Sequence, residues 1–270
     1  MCFHARVVKF SLLLALVLAG QSLAEDARVT ALIQQGDADD AKHQTKSALL
    51  SLHHAEAIEP ANFGILLRIS KQYADLVDQA KSKDEGKAFA EKALQYARRA
   101  VAGDGQNAKA HLNLAICYGK LTDFVGNKVK MEYAKLIRDE AQRSIDLDPT
   151  DDYAWHVMGR WHFGVANLNG VLKSLASFIY GGLPPASIEE AAGCLKKATE
   201  LAPQRMMHHA ELAKVYAAMG KSDLAAQEWQ NVLGIKPADT QDEGYQKEAR
   251  VTLEARKSAR GGGHRGMARR

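Results

Sequence analysis

The stretch from Met206 to Pro237, MMHHAELAKVYAAMGKSDLAAQEWQNVLGIKP, decides the fold of this 270-residue chain. Leu212, Ala213 and Tyr216 fall on one face of a helix by the three-to-four residue spacing. Ala225, Trp229 and Val232 do the same on a second helix, and Gly220 sits between them where the chain must turn. The small alanines let two helix backbones approach closely, while Tyr216 and Trp229 fill the space beside them. Pro237 stops the second helix, because it lacks an N–H and disfavours helix at the residue before it.

The same register returns upstream. After Gly105 come His111, Leu114, Ala115 and Tyr118; after Pro149 come Trp155, Met158, Gly159 and His162; after Pro60 come Leu66, Ile69, Ser70 and Tyr73. Before each turn stands a second-helix triplet: Ala48/Leu52/Ala55, Ala93/Ala97/Ala100, Ile137/Ala141/Ser144 and Ala191/Leu195/Ala198. The turns at Pro60, Gly105, Pro149, Pro203 and Pro237 are separated by 45, 44, 54 and 34 residues. Units of this length cannot bury their own apolar faces and must stack on one another. The last interval is the tetratricopeptide (TPR) period, and the others read as the same unit with residues inserted between its two helices. The expected fold is therefore all-α, a TPR-like right-handed solenoid of helical hairpins.

Two units carry inserts. One contains Leu121–Val129, LTDFVGNKV, and the other VANLNGVLKSLASFIYGGLPPAS. In the longer insert Leu168, Val171, Leu172, Leu175, Phe178 and Ile179 recur at helical spacing before Gly181-Gly182 and Pro184-Pro185 stop the pattern. An extra amphipathic helix, 168–180, is expected there. Packing over the neighbouring units is favoured over a mobile lid or an apolar wall for lipid.

The strings AHLNLAICYGKLTDFVG, HVMGRWHFG, SFIYGGLPPASIEEA and LKKATELAP resemble the regulator of microtubule dynamics family over about Ala88 to Leu253. The resemblance implies a helical-repeat interaction domain without established enzymatic activity. Eukaryotic members are associated with microtubules and spindle poles, and one with membrane contact sites and phospholipid handling.

The ends read differently from the body. Arg6 and Lys9, the apolar run Phe10 to Ala19 and the small residues of Ser22-Leu23-Ala24 form a secretory signal peptide, 1–24, with cleavage expected after Ala24. Export to a periplasm or the cell exterior follows; an anchor left in place at 10–19 is the alternative. Export would also keep the chain from microtubules. The repeat domain is expected over 25–254, as one solenoid. Beyond it, 255–270 holds Arg256, Lys257, Arg260, Arg265, Arg269 and Arg270 with no acidic residue, and reads as a basic disordered tail. Taking these six, Arg6 and Lys9 from the 36 Lys and Arg leaves 28 against 32 Asp and Glu, a net of −4. The formal +4 of the whole chain is thus a property of its ends. A solubilising tail is favoured over charge-only attraction to anionic lipid or nucleic acid, and no specific nucleic-acid binding is expected.

Cys117 and Cys194 lie on helices of different units and are expected as small buried residues rather than a bridge. No catalytic constellation emerges: there is no G-x-S-x-G, no phosphate loop and no H-E-x-x-H. His156, His162 and the pair His208-His209 lack acidic partners at ligand spacing, so neither metal nor cofactor is expected. His111 and His209 hold the same position in two repeats, as packing residues would.

A groove is the better candidate. The ninth position of successive first helices carries Lys71, Arg160 and Lys214, with Ile116 in the remaining unit, and Lys109 and Asn113 stand near. Such a stripe would suit an acidic peptide or protein partner, a C-terminal carboxylate or a lipid phosphate.

Overall fold

A computed structural model describes residues 25–168, 170, 174, 177 and 185–266, with side chains as far as 259. Among the described residues the regular structure is helical, without strands. The chain divides into two compact units, 1–124 and 125–270, and the division falls inside the LTDFVG insert. Each unit is treated by itself below.

The described part of the first unit contains α1 (25–40), α2 (Thr45–Ile58), α3 (Phe63–Asp78), α4 (Lys83–Gly103) and α5 (Ala108–Leu121), followed by a 3-10 turn, Thr122–Phe124. Consecutive helices pack on one another, and α3 also meets α5. Three of these helix starts, those of α3, α4 and α5, carry side-chain caps. Asn62 accepts from the Gly64 and Ile65 amides, and Asn107 accepts from that of Ala110. At α4 Ser82 accepts from the Glu85 amide, while the Glu85 carboxylate reaches back to the Lys81 amide at 2.7 Å.

The second unit contains α6 (Asn127–Leu147), α7 (Asp152–Ala166), α8 (Ile188–Leu201), α9 (Met206–Ala218), α10 (Ser222–Gly234) and α11 (Thr240–Gly266). Here too each helix packs on the next one described, including α7 on α8 across the insert. Gly220 makes the α9–α10 turn at φ 72°, a conformation that costs a residue with a Cβ far more than glycine.

The small–large–small triplets are the interior of both units. Ala48, Leu52, Ala55, Ala93, Ala97, Ala100, Ala141, Ser144, Ala191, Leu195, Ala198, Ala225, Trp229 and Val232 are all buried. Ile137 departs from the pattern and is only half-buried on α6. The G-R-W segment shows what three successive residues achieve. A Cβ on Gly159 would lie 2.7 Å from Leu195 Cγ, so α7 reaches α8 only because residue 159 has none. Arg160 points outward, and the buried Trp161 donates its indole N–H to the Ala134 carbonyl of α6 at 2.6 Å. Cys117 and Cys194 are buried free thiols, and burial pushes them up to about 12 and about 11 respectively.

One end differs from its expectation. The segment 255–266 is helical, continuing α11, where coil is expected from its charge. Glu254, Ala255, Arg256 and Lys257 are good helix formers, and Arg256 is fastened to Asp223 of α10 by an ion pair. The expected signal peptide 1–24 lies outside the described residues, as do most of the expected helix 168–180 and with it the choice between packing element and lid. Among the described residues no helix is long and apolar enough to cross a membrane.

Candidate interaction site: the charged faces of the first helices

In the first unit three first helices, α1, α3 and α5, lie side by side and exchange charges across their seams. Arg68 binds Asp37 through two nitrogens, at 2.7 and 3.0 Å. Lys71 holds Asp40 at 2.8 Å and Asp75, one turn along its own helix, at 2.9 Å. Lys120 holds both oxygens of Asp78 at 2.6 Å. Lys71 is therefore neutralised twice. Burial alone would lower its pKa, but the Asp75 and Asp40 carboxylates outweigh that and raise it. Asp75 goes the other way: burial lifts its pKa above the usual value despite the lysine beside it. Asp40, with Gln72 and Lys71 both donating to it, is held below.

Asn113 belongs to the interior. It is 8% exposed, and its amide donates to Ser70 Oγ at 2.6 Å. Ser70 in turn donates to the Ala93 carbonyl at 2.8 Å, so the Cys117 thiol, at 3.4 Å, is left to donate to Ser70. One hydroxyl thus ties α3, α4 and α5 together. Lys109 is exposed at the start of α5. Of the three groove candidates in this unit, Lys71 and Lys109 are on the surface and Asn113 is not.

In the second unit Arg160 of α7 and Lys214 of α9 converge on one carboxylate. Glu211 stands 3.9 Å from the Arg160 Nε and 3.1 Å from the Lys214 Nζ. Lys214 also reaches Glu248 of α11 at 3.3 Å, and its ammonium lies 5.5 Å from the centre of the Tyr245 ring. Burial alone would lower the Lys214 pKa; Glu211 and Glu248 together raise it. Arg160 is the open member, 63% exposed against 33% for Lys214.

The bases foreseen at the ninth helical position are thus real surface groups, each set among carboxylates. Those carboxylates were within reach of sequence reading, because Lys71–Asp75 and Glu211–Lys214 stand at the i,i+4 and i,i+3 spacings of helical ion pairs. Asp40, Asp78 and Glu248 come from other helices, and only packing brings them in. The histidines also gain partners that spacing did not reveal: Asp152 for His208 and Glu228 for His209, each at 2.6 Å. Among the described residues no group of three or more His, Cys, Asp or Glu is placed to hold a metal ion.

A further polar cluster ties α2 to α4. Glu56 accepts from Tyr96 at 3.0 Å, from His53 at 3.1 Å and from Arg99 at 2.8 Å. The Tyr73 and Tyr96 rings stack beside it, with centres 5.9 Å apart. Burial, together with Glu56, pushes the Tyr96 hydroxyl up to about 12, and Arg99 caps the Pro60 carbonyl at 2.9 Å. Every polar atom named here is engaged within the cluster, as in a structural clasp.

Residues 29–257 match the family described as regulator of microtubule dynamics protein 1-3. The chain belongs to that family. It is 27% identical over 232 residues to regulator of microtubule dynamics protein 3 of Xenopus laevis, covering 85% of this chain and 49% of that protein. It is 30% identical over 179 residues to protein 1 of Bos taurus, covering 66% and 56%. The chain thus spans about half the length of the curated relatives it matches. Solved structures agree on the fold: a thermophilic TPR protein of Thermus thermophilus superposes with a TM-score of 0.62 over 83% of this chain and 99% of its own, at 16% identity. PilF of Pseudomonas aeruginosa does so with a TM-score of 0.55, over 88% and 90%, at 15% identity. The fold is all-α and TPR-like.

Proposed function

We propose that this chain is a non-enzymatic scaffold that binds a protein partner through the charged faces of its first helices. The observation that carries the reading is the Arg160–Glu211–Lys214 cluster. It offers an exposed guanidinium and a half-exposed ammonium around one shared carboxylate, on two adjacent helices of a TPR-like unit. An incoming carboxylate can take over Arg160 at little cost, because its bond to Glu211 is long and solvated. Lys214 and Lys71 bind acid only in exchange for carboxylates they already hold. The face of the second unit therefore favours a partner of mixed charge, acidic at Arg160, over a uniformly acidic peptide.

Reversing charge at both exposed bases, with Arg160→Glu and Lys214→Glu together, tests this in a pull-down. Loss of the partner with the helical content unchanged supports the reading; undiminished capture of the same partner defeats it.

Export is part of the proposal, on the strength of the basic start and apolar run of 1–24. The names of the relatives speak for the rival partner, a microtubule. Amino-terminal sequencing of the mature protein separates the two. Cleavage after Ala24 places the chain where there are no microtubules, and an intact Met1 removes that objection. A lipid carrier, the other rival, would carry lipid stoichiometrically when purified, and mass spectrometry reads that directly.

A further inference from the structure

Two histidines of the second unit face each other with no solvent between them. His156 of α7 and His208 of α9 are 2% and 0% exposed, and their Nδ1 atoms are 2.9 Å apart. The far nitrogen of His208, Nε2, lies 2.6 Å from Asp152 Oδ2, and the same oxygen forms an ion pair with Arg205 Nε at 2.8 Å. Asp152 stands in the first turn of α7. The charged groups bearing on the pair are Asp152 and Arg160 from α7, and Arg205 and His209 from α9 and the turn before it. The Tyr153 ring packs against both imidazoles.

The geometry fixes the protons. A carboxylate accepts, so His208 Nε2 carries a hydrogen. Two nitrogens at 2.9 Å share one hydrogen, so one Nδ1 donates and the other accepts. With both rings neutral, His156 Nδ1–H donates to His208 Nδ1. One added proton can be held: His208 becomes the imidazolium, and His156 moves its own hydrogen to Nε2 and accepts. A second added proton puts N–H against N–H and two cations side by side, in a site that already contains Arg205.

We propose that the His156–His208 pair is an acid-operated latch, closed near neutrality and opened by double protonation, that releases α7 from α9 within the second unit. Burial disfavours the charged form of each ring first of all, and for His156 the neighbouring His208, Arg160 and Arg205 add to it; both pKa values lie below the usual 6.5. The sign follows. A depressed histidine contributes stability that is complete above its unfolded value of 6.5 and is lost as pH falls toward and through the folded value. His209, one residue on, is raised instead through Glu228 and the Pro203 carbonyl, so its protonation favours the fold in acid and cannot be the trigger.

Hydrogen–deuterium exchange on the full chain at pH 7.5 and pH 5.0, corrected for intrinsic rates, tests the latch. Peptides from 152–166 and 206–218 are expected to lose protection by about tenfold or more at pH 5.0, one pKa unit of differential protonation. Helices of the first unit should keep theirs. In His156→Gln, which has a single titrating ring at the site, the response should shrink to that of the first unit. An unchanged pH response in that variant, or none in the native chain, overturns the proposal. Should the variant fold poorly, imidazole NMR titration of the native protein decides. At most one ring may charge while protection persists, and the second must charge together with the loss of protection; both rings charged with protection intact refutes the latch.

Discussion

His209 donates a proton from Nε2 to the carbonyl of Pro203, six residues earlier, at 3.0 Å. The same bond recurs at the same offset in two other units: His111 to the Gly105 carbonyl at 3.1 Å, and Trp155 to the Pro149 carbonyl at 2.9 Å. The turn residue presents a carbonyl that no helix satisfies, and a ring N–H on the next helix answers it. In the Pro60 unit the sixth position is Leu66, which has no donor, and Arg99 of α4 supplies one instead. The shared position of His111 and His209 is thus a hydrogen-bonding constraint of the repeat.

At His209 the constraint has a pH signature. Its Nδ1 faces Glu228 at 2.6 Å while Nε2 faces a carbonyl, so both nitrogens meet acceptors, an arrangement that favours the imidazolium over the neutral ring. Burial works against that charge, but Glu228 and the Pro203 carbonyl prevail and raise its pKa. A raised histidine gives stability that is complete below 6.5 and lost as pH rises through its folded value. His209→Gln should therefore cost about 1.5–3 kcal/mol at pH 5.5, the range for hydrogen bonds to charged groups, and clearly less at pH 8.5. Urea unfolding of both proteins across that range checks it, and an equal cost at both ends would contradict the assignment.

Gly159→Ala should destabilise the second unit by about 1–3 kcal/mol, as overpacking does, since its methyl would meet Leu195 Cγ at 2.7 Å and the Ala191 carbonyl at 3.2 Å. Gly193→Ala on α8 is the control: a Cβ there meets nothing within 4 Å, and the change should be neutral or slightly stabilising. Thermal melts of the two variants should move in opposite directions or differ by several degrees.

The Ser70 hydroxyl predicts a coupling. Ser70→Ala strands the buried Asn113 amide, at about 1–3 kcal/mol. Asn113→Ala alone removes the donor and leaves Ser70 bonded to Ala93. A double-mutant cycle should give an interaction of about 0.5 kcal/mol or more, whereas strict additivity would mean that the two side chains do not meet.

Lys71→Met should change stability by less than about 1 kcal/mol, because Lys71 is exposed, its partners are half-exposed and solvent screens the pairs. Chemical denaturation reads this, and a loss of several kcal/mol would assign Lys71 a structural role in place of the surface one.

Much of this architecture was legible in the sequence because the repeat announces its own interior. Ala93, Ala97 and Ala100 are small at positions where any larger side chain would part the helices, and that is visible without coordinates. Gly220 was legible as the turn between two helical patterns, and the G-R-W segment through the family resemblance. The site was harder. Lys71, Arg160 and Lys214 could be placed on a face by counting, but Asp40 and Glu248 lie far from them in sequence and arrive only through helix packing. Asn113 read as a groove residue because it stands one helical turn after Lys109; the partner that draws it inward, Ser70, is 43 residues away. Charge composition alone likewise suggested coil for 255–266, and the ion pair to Asp223 that fastens the start of this stretch is a tertiary contact.

The central claim is that this family member holds a protein through the charged faces of its first helices. The most direct measurement is quantitative affinity purification from its own source, comparing the native chain with the Arg160→Glu, Lys214→Glu double variant, with proteins and lipids both assayed in the eluates. The account predicts a stoichiometric protein partner on the native chain that is depleted at least about tenfold on the variant, equivalent to about 1.4 kcal/mol of binding. Equal recovery of that partner on both, or stoichiometric lipid with no protein, would contradict it.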